Sequence, residues 1–226
     1  MNKIYLFALF IAVASANLAV DIGNVYLPCE AFKCLSDHQV SKVIIQILNE
    51  MGVTNIDFLT HLTDARDAGI SEVDATVIVN DSFAADSLST KVAGSLPSGF
   101  SGTVWLQVIS SPQLWTKSTI LRIPYLGDLV TSFRQRGLKV GVSADSGTWT
   151  SVFGLKHAGS DNLKSASLWY AYQDGGQSFD DFSTAGFGTW TQPALKNFQS
   201  HITFCGTGAP SFNYYEGDTQ LDQIHQ

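Results

Sequence analysis

Three groups that could move a proton lie at the ends of short apolar runs. Asp21 follows Leu-Ala-Val, Asp145 follows Gly-Val-Ser-Ala, and Asp174 follows Trp-Tyr-Ala-Tyr-Gln. Other runs end in groups without acid chemistry: Gln46 in VIIQIL, Asn80 after TVIV, and Gln107 with Ile109 in WLQVI. Aromatic residues crowd the later runs, at Trp149, Trp169, Tyr170, Tyr172 and Trp190. Carboxylates and amides beside aromatic faces are what a carbohydrate groove uses, because sugar rings stack on π faces while hydroxyls need polar partners. The competing reading is that these aromatics simply fill a core.

These groups can act together only if the runs converge. Leu18 to Ile22, Lys42 to Leu48, Val73 to Val79, Thr103 to Ile109 and Leu138 to Ser143 are short, apolar and rich in β-branched residues, which predicts strands. Segments of helical period lie between them. Asp57 to Ala68 carries Phe58, Leu59, Leu62 and Ala65, and Ile120 to Arg136 carries Leu126, Leu129, Val130 and Phe133; Gly69 and Gly137 then stop each helix. Strand, helix, glycine, strand is the signature of parallel βα units. After Ser143 the helices largely drop out, and SLWYAYQD (167 to 174), PALKNFQ (193 to 199) and HITFCGTG (201 to 208) read as further strands. The expectation is an α/β fold: a TIM-like barrel begun in βα units and completed by strands, with ligands at the carboxyl ends of the strands, where the loops meet.

The first 16 residues, MNKIYLFALFIAVASA, place Lys3 before an apolar run and end in Ala-Ser-Ala, a small-x-small cleavage pattern. A signal peptide over 1–16 and one barrel domain over 17–226 are expected, with delivery outside the cell or to a lysosome-like vesicle. The formal charge is −7, and without Lys3 there are 12 basic against 20 acidic residues, or −8, which argues against nucleic acid and anionic membranes as partners. Of three cysteines, Cys29, Cys34 and Cys205, two can form a disulfide in an oxidising compartment. Cys34 with Cys205 would join the two ends of the domain, and Cys29 with Cys34 is the local alternative. There is no Cys-x-x-Cys and the five histidines are scattered, so neither a metal nor a cofactor is expected. Asn80-Asp81-Ser82 is a glycosylation sequon.

The runs VWLQVISSPQLW, LVTSFRQRGLKVGVSADSGTWTSVFG, LWYAYQDGGQSFDDFSTAGFGTWTQPALKNFQ and TFCGTGAPSFNYY resemble, in that order, the lysozyme-like proteins of nematodes and protists in glycoside hydrolase family 25. The resemblance extends from AVDIG near the amino end to FNYY near the carboxyl end. It implies an irregular barrel of five βα units followed by three strands, secretion, and hydrolysis of the glycan of bacterial peptidoglycan. The family's acids must then be checked in place. The first-strand acid is present as Asp21. The fourth strand of active members ends in Trp-Leu-Asp-x-Glu, and here reads Trp105-Leu106-Gln107-Val108-Ile109. The late acid after Cys-Gly-x-Gly falls at or beside Pro210.

Glycosidic cleavage needs one carboxylic acid to protonate the leaving oxygen and a second group to stabilise or capture the oxocarbenium-like centre, about 5 Å away in retaining enzymes. Gln107 can bond a sugar hydroxyl but cannot exchange a proton at useful pH, and Ile109 can do neither. Loss of general acid help alone lowers rates by about 10² to 10⁴. The reading that follows is a secreted protein of antibacterial defence that has lost family-type muramidase activity, acts as a monomer, and at most binds peptidoglycan or a related glycan. Gln107, Trp169, Tyr170, Tyr172 and Asp174 are the candidate ligand contacts. One alternative is an active muramidase rewired onto Asp21 and Asp145, although Asp145-Ser-Gly also reads as a plain turn. Another is a non-catalytic scaffold for a protein partner in immune signalling. An open groove favours binding, and a plugged mouth favours the scaffold. Asp180 and Asp181 read as loop or capping residues.

Overall fold

The computed structural model describes residues 17–201, 203–208 and 210–216. The expected leader and its cleavage site, and the tail beyond residue 216, lie outside these residues. Eight strands close a barrel in sequence order: β1 Asn17–Gly23, β2 Val40–Leu48, β3 Glu72–Ile78, β4 Thr103–Gln107, β5 Lys139–Ala144, β6 Ser167–Ala171, β7 Leu195–Gln199 and β8 Ser211–Tyr215. Pairing is parallel from β1 to β7, while β8 runs antiparallel to both β7 and β1. Outside lie α1 Cys29–Asp37, α2 Phe58–Asp67, α3 Ala85–Ser95, α4 Thr119–Gln135, α5 Ser146–Phe153, α6 Asp161–Lys164 and α7 Phe182–Ala185. Among the described residues no helix is long and apolar enough to cross a membrane.

Side-chain alternation decides what fills the barrel. Ala19, Ile44, Trp105, Trp169, Leu195 and Tyr215 form an inner cluster separate from the main core between strands and helices. Trp105 and Trp169 meet edge to face with ring centroids 5.8 Å apart, a favoured geometry for aromatic quadrupoles. Gly141 makes room for them, since a Cβ there would overlap the Trp105 ring. This middle layer plugs the barrel's centre, so an inward residue two positions further along any of the parallel strands β1 to β7 sits above it, toward the mouth, while on antiparallel β8 the earlier residues do.

The helix stops fall where expected: Gly69 and Gly137 adopt φ of 89° and 74° after α2 and α4. On α2 the buried face is Phe58, His61, Leu62 and Ala65, while Leu59 is exposed. Several expectations need correction. The described residues of the run 201–208 do not form a strand, because His201, Cys205, Gly206 and Gly208 all take positive φ and Thr207 N–H turns back onto Phe204 O. The eighth strand is Ser211–Tyr215 instead. The β4 ladder stops at Gln107, two residues short of Ile109. Three short helices, α5 to α7, persist after β5, each too brief to show a helical period. The disulfide is as expected: Cys34 pairs with Cys205 at a Cα–Cα distance of 5.6 Å, leaving Cys29 free and exposed.

His61 is fully buried between Tyr26 and Phe32, and its Nε2 accepts the Leu27 N–H at 3.1 Å. Burial lowers its pKa, against weaker opposing pulls from Asp57, Asp64 and the Leu27 hydrogen bond. A group held neutral in the fold but free to protonate when unfolded withdraws stability as pH falls below its unfolded value, about 6.5. Asp21, whose carboxyl is pushed up to about 6, acts in the opposite sense from that pH downward. The expected result is therefore a difference: between pH 7 and pH 5 His61→Gln, which keeps an acceptor but cannot titrate, loses less thermal stability than the wild type. Parallel melting curves for the two proteins would contradict this.

Candidate functional site

A cavity of about 250 Å³ opens above the tryptophan layer at the carboxyl ends of the strands. Asp21 enters from β1, two residues beyond inward-facing Ala19. It accepts the Gly23 N–H at 2.9 Å, and no ion pair reaches it among the described residues. Burial pushes its carboxyl up to about 6, only partly offset by the Gly23 hydrogen bond. Desolvation disfavours the charged form, so Asp21 can hold a proton close to neutrality.

Gln107, two residues beyond Trp105, also lines the mouth, and its side chain makes no hydrogen bond to the described residues. Its amide is thus free both to donate and to accept. Ile109 forms part of the wall. Asp145, just beyond the neighbouring strand β5, also lines the mouth but is the N-cap of α5: one oxygen accepts the Thr148 N–H at 2.8 Å, the other the Thr148 hydroxyl at 2.6 Å. The plain-turn reading of Asp145 describes these contacts. Trp169 is the floor, nearly fully buried, with its indole N–H held by Asn213 Oδ1 at 2.9 Å. Asn197, Ser200 and Ser211 complete a polar arc, with Ser200 Oγ 3.1 Å from both Asn197 Oδ1 and Ser211 Oγ.

Sequence reasoning placed Tyr170, Tyr172 and Asp174 beside this mouth, and the structure separates them from it. Tyr170 follows Trp169 and so projects outward; it is buried against Phe182 and donates its hydroxyl to Asp181 at 3.0 Å. Asp174 pairs with Lys196 at 2.9 Å, and half-exposed Tyr172 lies with its ring 5.7 Å from the same ammonium. None of the three lines the cavity. Pro210 is buried just before β8 and brings no acid, its neighbour Ser211 being the residue in the mouth. Asn80 is half-buried after β3, its Nδ2 donating to Glu50 O at 2.8 Å and its Oδ1 accepting from Ser82.

Ser143, Asn197, Ser200 and Ser211 were missed because small polar residues in strands, or just beyond one as Ser200 is, carry no chemical signature. Alternation from the buried residue two positions earlier would have found Asn197. A further network was missed outside the barrel. Lys196 on β7 is fully buried and held by Asp181 at 2.7 Å as well as by Asp174. Burial alone would lower its pKa, but the two carboxylates outweigh that and raise it. A lysine in the middle of the run LKNFQ was the available signal.

The arrangement is a hydrogen-bonding cup with an indole floor, holding two carboxylates of which one is committed to a helix cap. A family model described as Lysozyme-like protein 1 matches residues 12–198. "Probable GH family 25 lysozyme 4" of Dictyostelium discoideum is 29% identical over 187 residues, covering 81% of this chain and 84% of its own. "Lysozyme-like protein 3" of Caenorhabditis elegans is 29% identical over 218 residues, covering 91% and 70%. In fold, the chain is similar to a family GH25 lysozyme from Aspergillus fumigatus, with a TM-score of 0.70 at 13% identity over 91% of this chain and 96% of that one.

Proposed function

Because the chain belongs to the lysozyme-like family of glycoside hydrolase family 25, by a family match over residues 12–198, we propose that it is a secreted antibacterial-defence protein that binds peptidoglycan or a related glycan without cutting it. The observation that carries this reading is the mouth itself. It offers Gln107, Ser143, Asn197, Ser200 and Ser211 to sugar hydroxyls, while its acids are limited to Asp21 and Asp145. Gln107 and Ile109 stand where the resemblance predicts an acid pair. Neither side chain can donate a proton to a leaving oxygen or shield an oxocarbenium-like centre with charge.

An open cup with an unengaged amide supports binding over a purely structural scaffold. One observation favours a second reading, that of a muramidase with displaced carboxylates. Asp21, raised to about 6, has the pKa of a general acid. It would need Asp145 as its partner, and both Asp145 oxygens already hold Thr148. Retention on insoluble peptidoglycan without release of soluble fragments is the expected behaviour. Fragment release that depends on Asp21 would support the second reading.

A further inference from the structure

A smaller cleft of about 190 Å³ adjoins the mouth and shares Ser110 with it. Its depth is set by Trp115, which is buried and anchored by an indole N–H bond to Ile109 O at 2.9 Å. Ser111 and Ser151 add hydroxyls, and Ser151 lies 3.0 Å from Ser110 at the passage between the two cavities. The charged residue lining it is Arg122, from the first turn of α4.

Arg122 is held by neutral groups alone. Its Nε donates to Lys117 O at 3.0 Å, its Nη1 to Val152 O at 2.7 Å and its Nη2 to Trp115 O at 3.0 Å, all neutral carbonyls. Among the described residues no carboxylate lies within ion-pair distance of it, whereas Arg136, Lys42 and Lys196 each have an acid partner. A guanidinium carries five N–H donors, so two remain, together with a full positive charge that nothing in the cleft neutralises. No acid lines the cleft, in a chain with 20 acidic against 13 basic residues. The three carbonyl bonds hold the guanidinium at a fixed place, and a preorganised cation with spare donors suits a carboxylate.

We propose that this cleft is a subsite for a carboxylate carried by the glycan bound in the mouth; the proposal rests on the glycan reading above. In peptidoglycan such a group is either the lactyl carboxyl of a muramic residue or a carboxyl of the peptide attached to it. A neutral chitin-type chain has none, so the cleft would select among glycans that the mouth alone treats alike.

Three probes separate the possibilities: N-acetylglucosaminyl-N-acetylmuramic acid, its methyl ester, and the same disaccharide bearing a dipeptide with free carboxyls. Each is titrated by calorimetry against the wild type, Ser151→Asp and Ser151→Asn. Ser151 is exposed and its side chain hydrogen-bonds only Ser110 among the described residues, so both variants should fold. An anion seated on Arg122 should bind roughly tenfold tighter than the ester, as expected for a charge-assisted hydrogen bond. The advantage should vanish in Ser151→Asp and persist in Ser151→Asn; whichever acid shows it identifies the source of the carboxylate. Equal binding of acids and ester by the wild type, an advantage that survives Ser151→Asp, or one lost in both variants would overturn the subsite and leave the glycan reading standing. Binding of none of the probes would overturn both.

Discussion

Replacing Cys34 and Cys205 together by serine lowers the unfolding free energy by about 5 kcal/mol on the chain-entropy account. The bridged residues are 171 positions apart, so the bond closes a long loop in the unfolded chain, where the loss of entropy on closure is large. For a domain of this size, that is a fall in Tm of roughly 10 to 20 °C. The double variant is the informative one, because it leaves only the exposed Cys29 and allows no alternative bridge. Melting curves of the variant and of the reduced wild type should agree. A loss below about 1 kcal/mol would mean that packing of α1 against the loop around Phe204 already confines the unfolded ensemble.

Lys196→Met has the second large effect. The ammonium has no solvent contact and its charge is balanced by Asp174 and Asp181. Removing one partner of a buried pair destabilises by about 3 to 5 kcal/mol, because the other charges stay desolvated and unpaired. Asp174 can turn toward water but Asp181 is mostly buried beneath Tyr170, so the penalty falls chiefly on Asp181. Adding Asp181→Asn to Lys196→Met should therefore recover part of the loss, with Asp174→Asn contributing little. Chemical denaturation of the single, double and triple variants checks this. Additive losses would show that the network acts by packing and not by charge.

The first five strands of the barrel were legible because each is a short apolar run closed by a glycine or a polar residue. Asp21, Gln107 and Asp145 could be placed in the mouth for the same reason, by strand end, and Trp169 by its nearness to one. Where reasoning went astray, the deciding physics was not local. Tyr170, Tyr172 and Asp174 were grouped with Trp169 by nearness in sequence, yet alternation turns Tyr170 outward, and the pull of Lys196 on β7 draws Asp174 into another network. The run HITFCGTG has a strand's composition around Phe204, but its positive-φ residues and the disulfide to α1 make it a loop. Helices α1, α3 and α5 gave weak signals: α1 follows a proline, α3 is poor in large apolar residues, and α5 is only two turns long.

The central claim is that the mouth holds a glycan which its own acids do not cut. The direct test incubates the protein with purified insoluble peptidoglycan at pH 5 and pH 7, assaying the pellet for bound protein and the supernatant for soluble fragments by mass spectrometry. Both pH values matter, because Asp21 at about 6 is mostly protonated at the lower and mostly ionised at the higher. The account predicts protein in the pellet, less of it for Gln107→Ala, and no fragments above the protein-free control at either pH. Fragments released by the wild type and abolished by Asp21→Asn or Asp145→Asn would contradict it.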